Sequence, residues 1–225
     1  EPYFSSLPKI LPPQFFTNEE LMQEISFDFD NETEDIFQTE VYPLQGQIGF
    51  AALSFPAFSF GSKESVYAEL IAHYITKSVL WEKIRTKGGA YGAFASSDEN
   101  EGIFSFATYR DPHPDVSLTV FLESLEIIKN THFDKTTLER MITGCYSKKI
   151  QPRAPANKGF TGFLRSLYGI SEEERQKRMA WLLSATEKDL IETIKILTAF
   201  VDNRQSVIVG ENFKDNSRKI ARLPL

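Results

Sequence analysis

The sequence predicts an α+β fold in which an antiparallel sheet is covered by several helices. Three features point that way. Apolar runs of strand length, bounded by Gly, Pro and polar turn residues, occupy the first half. One long stretch between them carries apolar residues at helical spacing. The second half is a succession of helical periods closed by one more strand, Gln205–Val209, so those helices have a sheet face to cover. With 225 residues, 41% of them hydrophobic and 19 of them Phe, the chain can build a sizeable core without a disulfide or metal staple.

The elements follow in order. Residues 1–30 read as a connector leading into a domain at 31–225. Pro2, Pro8, Pro12 and Pro13 favour extended chain there, and Asn18–Ile25 has room for a helical turn or two. The acidic run Asp28, Asp30, Glu32, Glu34, Asp35 reads as a solvated loop, with an acidic recognition surface as the alternative. Strands are expected over Glu34–Tyr42 and Gln47–Phe55, the second stopped by Pro56. Ser62 is a good N-cap for a long helix whose stripe is Val66, Leu70, Ile71, Tyr74, Ile75, Val79 and Ile84. Gly88-Gly89 ends it. Ala90–Ser97 and Ile103–Arg110 flank a turn-rich linker and form a hairpin. Helices are then expected over about 114–129, 134–149, 158–168, 171–183 and 186–201, with Ser171-x-x-Glu174 as a capping box. Pro152 and Pro155 mark a loop. The tail 211–225 has room for a short helix.

Composition excludes several functions. Lys and Arg number 25 against 31 Asp and Glu, so the net charge of −6 argues against nucleic acid as a partner. No apolar window is long enough to span a bilayer, so no membrane partner is expected. One cysteine and no leader pattern give a cytoplasmic location as the expectation. His73, His113 and His132 never stand four residues apart, so no helix turn offers two imidazoles to one zinc ion. His73 reads as a structural helix residue and Cys145 as a small buried side chain. The glycines at 88, 89 and 92 match no phosphate loop. Gly102–Tyr109 loosely echoes an RNA-stacking strand, but Glu101 stands where a cation belongs, and a buried face explains Phe104 and Phe106 more simply.

Leu80–Ala93 (LWEKIRTKGGAYGA) is the informative segment. A helix ends, two glycines turn the chain, and a tyrosine starts a strand. Arg85 and Tyr91 flank that turn. Two donors at one sheet end suit a carbonyl oxygen or an oxyanion. A plainer reading also stands: Arg85 pairs with a local carboxylate such as Glu82, and Tyr91 packs on the sheet.

Leu80-Trp81 through Gly92 resembles the signature of the C-terminal half of insulinase-family (pitrilysin-like) zinc metallopeptidases, in particular the presequence-protease branch. Pro155-Ala156-Asn157-Lys158-Gly159, Leu167-Tyr168-Gly169-Ile170-Ser171 and Glu174-Arg175-Gln176 resemble the same branch. The likeness runs from about residue 35 to the end. It implies an α+β half-domain of the insulinase type, one of several homologous domains around a chamber. It implies that zinc is bound by the N-terminal half through an inverted His-x-x-Glu-His motif, and that this chain binds none. It implies a peptide substrate taken up as an added strand. It also implies that Arg85 and Tyr91 reach across to the bound peptide, positioning it and stabilising the oxyanion. The expected partners are therefore a peptide and the zinc-bearing N-terminal half.

The chain departs from the whole family pattern in lacking the zinc motif. Glu1 and the proline-rich lead-in fit the terminal domain of a longer peptidase, inactive alone. The alternatives are a non-catalytic scaffold subunit, or a separate half that pairs with a zinc-bearing chain.

Overall fold

The computed structural model describes residues 39–43 and 46–210 and the backbone of 219–220. The connector over 1–30, the boundary before residue 31, the turns at 18–25, the acidic run and the start of the first strand lie outside the described residues.

Strands β1 (Thr39–Pro43) and β2 (Phe50–Pro56) come first. Helix α1 (Lys63–Ile75) starts where the sequence places it, with Ser62 Oγ accepting the Ser65 N–H at 3.2 Å. It continues without a break as a π-helical segment, Thr76–Lys87. The apolar stripe signals a helix but not its winding. Within the π segment, Thr86 Oγ1 also donates to the carbonyl of Trp81 at 3.0 Å. The glycine pair then turns the chain: a Cβ on Gly88 would lie 2.6 Å from the Ile84 carbonyl oxygen, and Gly89 has φ +78°. The hairpin of β3 (Gly92–Asp98) and β4 (Ile103–Tyr109) follows.

The remaining helices are α2 (Pro114–Lys129), α3 (Lys135–Ile150), α4 (Pro155–Leu167), α5 (Glu172–Leu183) and α6 (Glu187–Phe200). Asp134 caps α3, and Ser171 with Glu174 forms the anticipated capping box on α5. α4 begins at Pro155 rather than at 158. Proline suits a first helical turn, because its missing N–H would have no intrahelical partner there. β5 (Gln205–Gly210) and the two-residue β6 (Lys219–Ile220) complete the sheet, so that part of the expected tail helix is strand instead.

The α+β class holds, and the sheet is mixed rather than wholly antiparallel. Its order is β3-β4-β2-β5-β1-β6, with β1 parallel to both β5 and β6. The β3–β4 hairpin has a connection short enough to dictate antiparallel pairing; the long helical excursion before β5 permits a parallel partner. Leu53, Phe55, Phe104, Phe106 and Ile208 point into one core with Leu70, Ile71, Ile75, Phe121, Ile194 and Leu197. Phe106 and Phe121 stack at 5.0 Å. Burying each such side chain contributes about 1.5–3 kcal/mol. Period two leaves Phe50, Ala52, Ala107 and Tyr109 on the opposite, half-buried or exposed face. Among the described residues, no helix is long and apolar enough to cross a membrane.

Candidate functional site

The turn between the π segment and β3 is pinned from both sides. Gly89 N–H donates to the carbonyl of Arg85 at 3.2 Å, and Ala90 N–H to that of Ile84 at 3.1 Å. Ile84 and Ala90 are both buried, which anchors the turn in the core. Tyr91 N–H donates to the carbonyl of Arg110 at 3.3 Å, tying the start of β3 to the end of β4. Just beyond, buried Asp111 accepts from His113 N–H at 2.9 Å and Ser117 Oγ at 2.6 Å, which fixes the chain leaving the hairpin.

Arg85 and Tyr91 stand on either side of this turn, both exposed, Tyr91 at 69%. The local pairing of Arg85 with Glu82 does not form. Glu82 binds Lys87 at 2.7 Å instead, and Lys83 binds Glu123 at 2.7 Å. The Arg85 guanidinium lies 4.0 Å above the Trp81 ring. The Tyr91 ring meets Tyr109 edge-on at 5.8 Å, and Tyr109 in turn lies 5.8 Å from Phe50. Among the described residues, neither the guanidinium nor the phenol hydroxyl has a hydrogen-bonding side-chain partner. Two strong donors with uncommitted N–H and O–H groups can bind a carbonyl oxygen or an anion.

Sequence reasoning passed over Trp81 and Tyr109. The signal for Trp81 was its position four residues before Arg85, neighbours on a helix face. Tyr109 needed the hairpin register, which sets it opposite Gly92. A Cβ on Gly92 would lie 2.7 Å from the Phe94 ring, so the missing side chain lets that ring fold over the strand.

The described residues do not fit a zinc ion. No three His, Cys, Asp or Glu side chains gather among the described residues. His132 Nδ1 lies 2.6 Å from Glu187, and the His73 ring faces Gly144. Burial, with Lys148 and Lys77 nearby, lowers the His73 pKa, and such cationic company disfavours a metal. Burial likewise pushes the Cys145 thiol up to about 12, so it is the inert core residue its position suggests. Phe104 and Phe106 are fully buried, packed against Phe55 and Phe121 in the core.

The chain is similar to known proteins in sequence and in fold. A family model described as the PreP C-terminal domain matches residues 40–211. Presequence protease 1, chloroplastic/mitochondrial, of Arabidopsis thaliana is 27% identical over 173 residues, covering 77% of this chain and 16% of that protein. The mitochondrial presequence protease of Xenopus tropicalis is 35% identical over 161 residues, covering 70% of this chain and 15% of that protein. The chain thus spans about a sixth of the length of the curated relatives it matches. Among solved structures, a protease from Helicobacter pylori superposes with a TM-score of 0.61 at 13% identity, over 76% of this chain and 43% of that one. A peptidase M16 inactive domain from Pseudomonas fluorescens gives 0.61 at 11% identity, over 83% of this chain and 45% of that one. At such identities the superpositions speak for the fold, and the family match is carried by the sequence: the chain belongs to the PreP C-terminal domain family.

Proposed function

We propose that this domain is the substrate-binding, non-zinc-binding part of a zinc-dependent peptidase that degrades unstructured peptides. One observation carries the reading. Arg85 and Tyr91 sit exposed across a single pinned turn, beside an edge strand, with donors that no described side chain occupies. Among the described residues β3 pairs only with β4, so its other edge can accept an extended peptide by main-chain hydrogen bonds. Arg85 and Tyr91 then hold the peptide and meet the negative charge that develops on its carbonyl oxygen. The zinc belongs to an N-terminal half, and residues 1–30 are the connector toward it.

The test is Tyr91→Phe in the native polypeptide. Loss of one oxyanion donor lowers turnover by ~10²–10³. Removing a hydroxyl from an exposed ring should leave the melting temperature unchanged. Unaltered peptide turnover would refute the role of Tyr91.

A second reading is a non-catalytic interaction subunit. The face of α4 favours it, with Phe160 63%, Phe163 46% and Leu167 67% exposed. The size of the native polypeptide separates the readings. About 100 kDa, roughly four domains of this size, fits the one-chain peptidase. A band at 25.7 kDa fits a scaffold, or a half that pairs with a zinc-bearing chain.

A further inference from the structure

Both donors of the candidate site rest on an exposed aromatic ring. Trp81 is 46% exposed and Tyr109 47%. Arg85 lies over Trp81, with its guanidinium carbon 4.0 Å from the ring centroid. Tyr91 stands edge-on to Tyr109 at 75°, and Tyr109 leans on Phe50 at 56°. The three rings form a train that runs from the open sheet face to the turn.

The geometry points to Trp81 and Tyr109 as positioning residues for Arg85 and Tyr91, a role that rests on the peptide-binding reading above. Stacking occupies a face of the guanidinium and leaves its N–H groups, which lie in the plane, directed outward. A salt bridge would instead consume those donors. Here the nearby carboxylates are taken by lysines, Glu82 by Lys87 and Glu123 by Lys83. Arg85 is therefore restrained without being neutralised. The edge-on contact does the same for Tyr91, since it restrains the ring and leaves the hydroxyl uncovered. Holding both donors before the peptide arrives reduces the ordering cost of binding.

Two double-mutant cycles in the native polypeptide test this, read as kcat and KM for an unstructured peptide. Trp81→Leu keeps apolar bulk and removes the aromatic face. It should lower kcat/KM by about two- to fivefold, the equivalent of one exposed cation–π contact. Trp81→Phe should restore most of that loss. In an Arg85→Ala background, Trp81→Leu should have no further effect; Tyr109→Leu should behave likewise in a Tyr91→Phe background. If Arg85→Ala and Tyr91→Phe are themselves silent, the peptide-binding reading fails and this inference with it. If they are costly while Trp81→Leu and Tyr109→Leu are silent, only the positioning role fails. An equal loss in both backgrounds also overturns it, because the rings would then act by another route.

Discussion

Arg178 shows what a single buried charge asks of its surroundings. Its side chain is 8% exposed, donates to Ser65 Oγ at 2.7 Å, pairs with Glu99 and lies over the Phe60 ring. Burial raises the Glu99 pKa, against the opposing pull of Arg178 and Lys149. A carboxylate raised above its unfolded value favours the fold most below the unfolded pKa and loses that contribution as pH rises through the folded one. Arg178→Ala would leave the part-buried Glu99 without this partner, at a cost of about 1–3 kcal/mol near neutrality. That cost should shrink in acid, where a neutral Glu99 no longer needs a cation. Urea denaturation of the variant at neutral and acid pH checks both statements, and a cost independent of pH would contradict the second.

Between elements, the contact of α1 with α3 has the least room to spare. Gly144 faces the His73 ring so closely that a Cβ would lie 2.3 Å from Nε2. Among the described residues, the buried His73 Nδ1 has no hydrogen-bond partner. Gly144→Ala should therefore destabilise the domain by about 1–3 kcal/mol, the usual cost of overpacking. Thermal melting would show it, and a helix-propensity gain from alanine would argue the opposite sign. The lowered pKa of His73 adds a pH signature. Its contribution is complete above the unfolded value and declines as pH falls through the folded one.

At the scale of the molecule, the metal chemistry of the described residues bears on the division of labour proposed here. The described residues gather no three metal-binding side chains, and His73, His113 and His132 have separate surroundings. The purified chain should carry no stoichiometric zinc and hydrolyse no peptide. Elemental analysis together with a peptide assay would detect either, and both together would sink the division of labour proposed here. Helix α4 belongs to the same scale. It has no buried residue, although an isolated helix of this length is marginal in water.

Much of this architecture was legible in local chemistry. Ser62, Asp134, Ser171 and Thr186 cap helices where cap residues precede apolar periods. Phe104 and Phe106 alternate into the core as period two requires, and Gly88-Gly89 turns the chain beside the candidate site. These are short-range effects, set by hydrogen bonds and sterics within a few residues. The parallel pairing of Val41 with Ile208, the π winding before Arg85, and the seating of Tyr91 on Tyr109 were not legible. Each joins residues distant in the chain, or depends on how a helix is wound against the sheet beneath it. The sequence by itself determined which residues could serve as donors and where the chain would turn. Only the tertiary structure decided how those donors are held, because long-range packing paired Lys83 with Glu123 and set the Tyr109 ring against Tyr91, beside the local contacts of Glu82 with Lys87 and of Arg85 with Trp81.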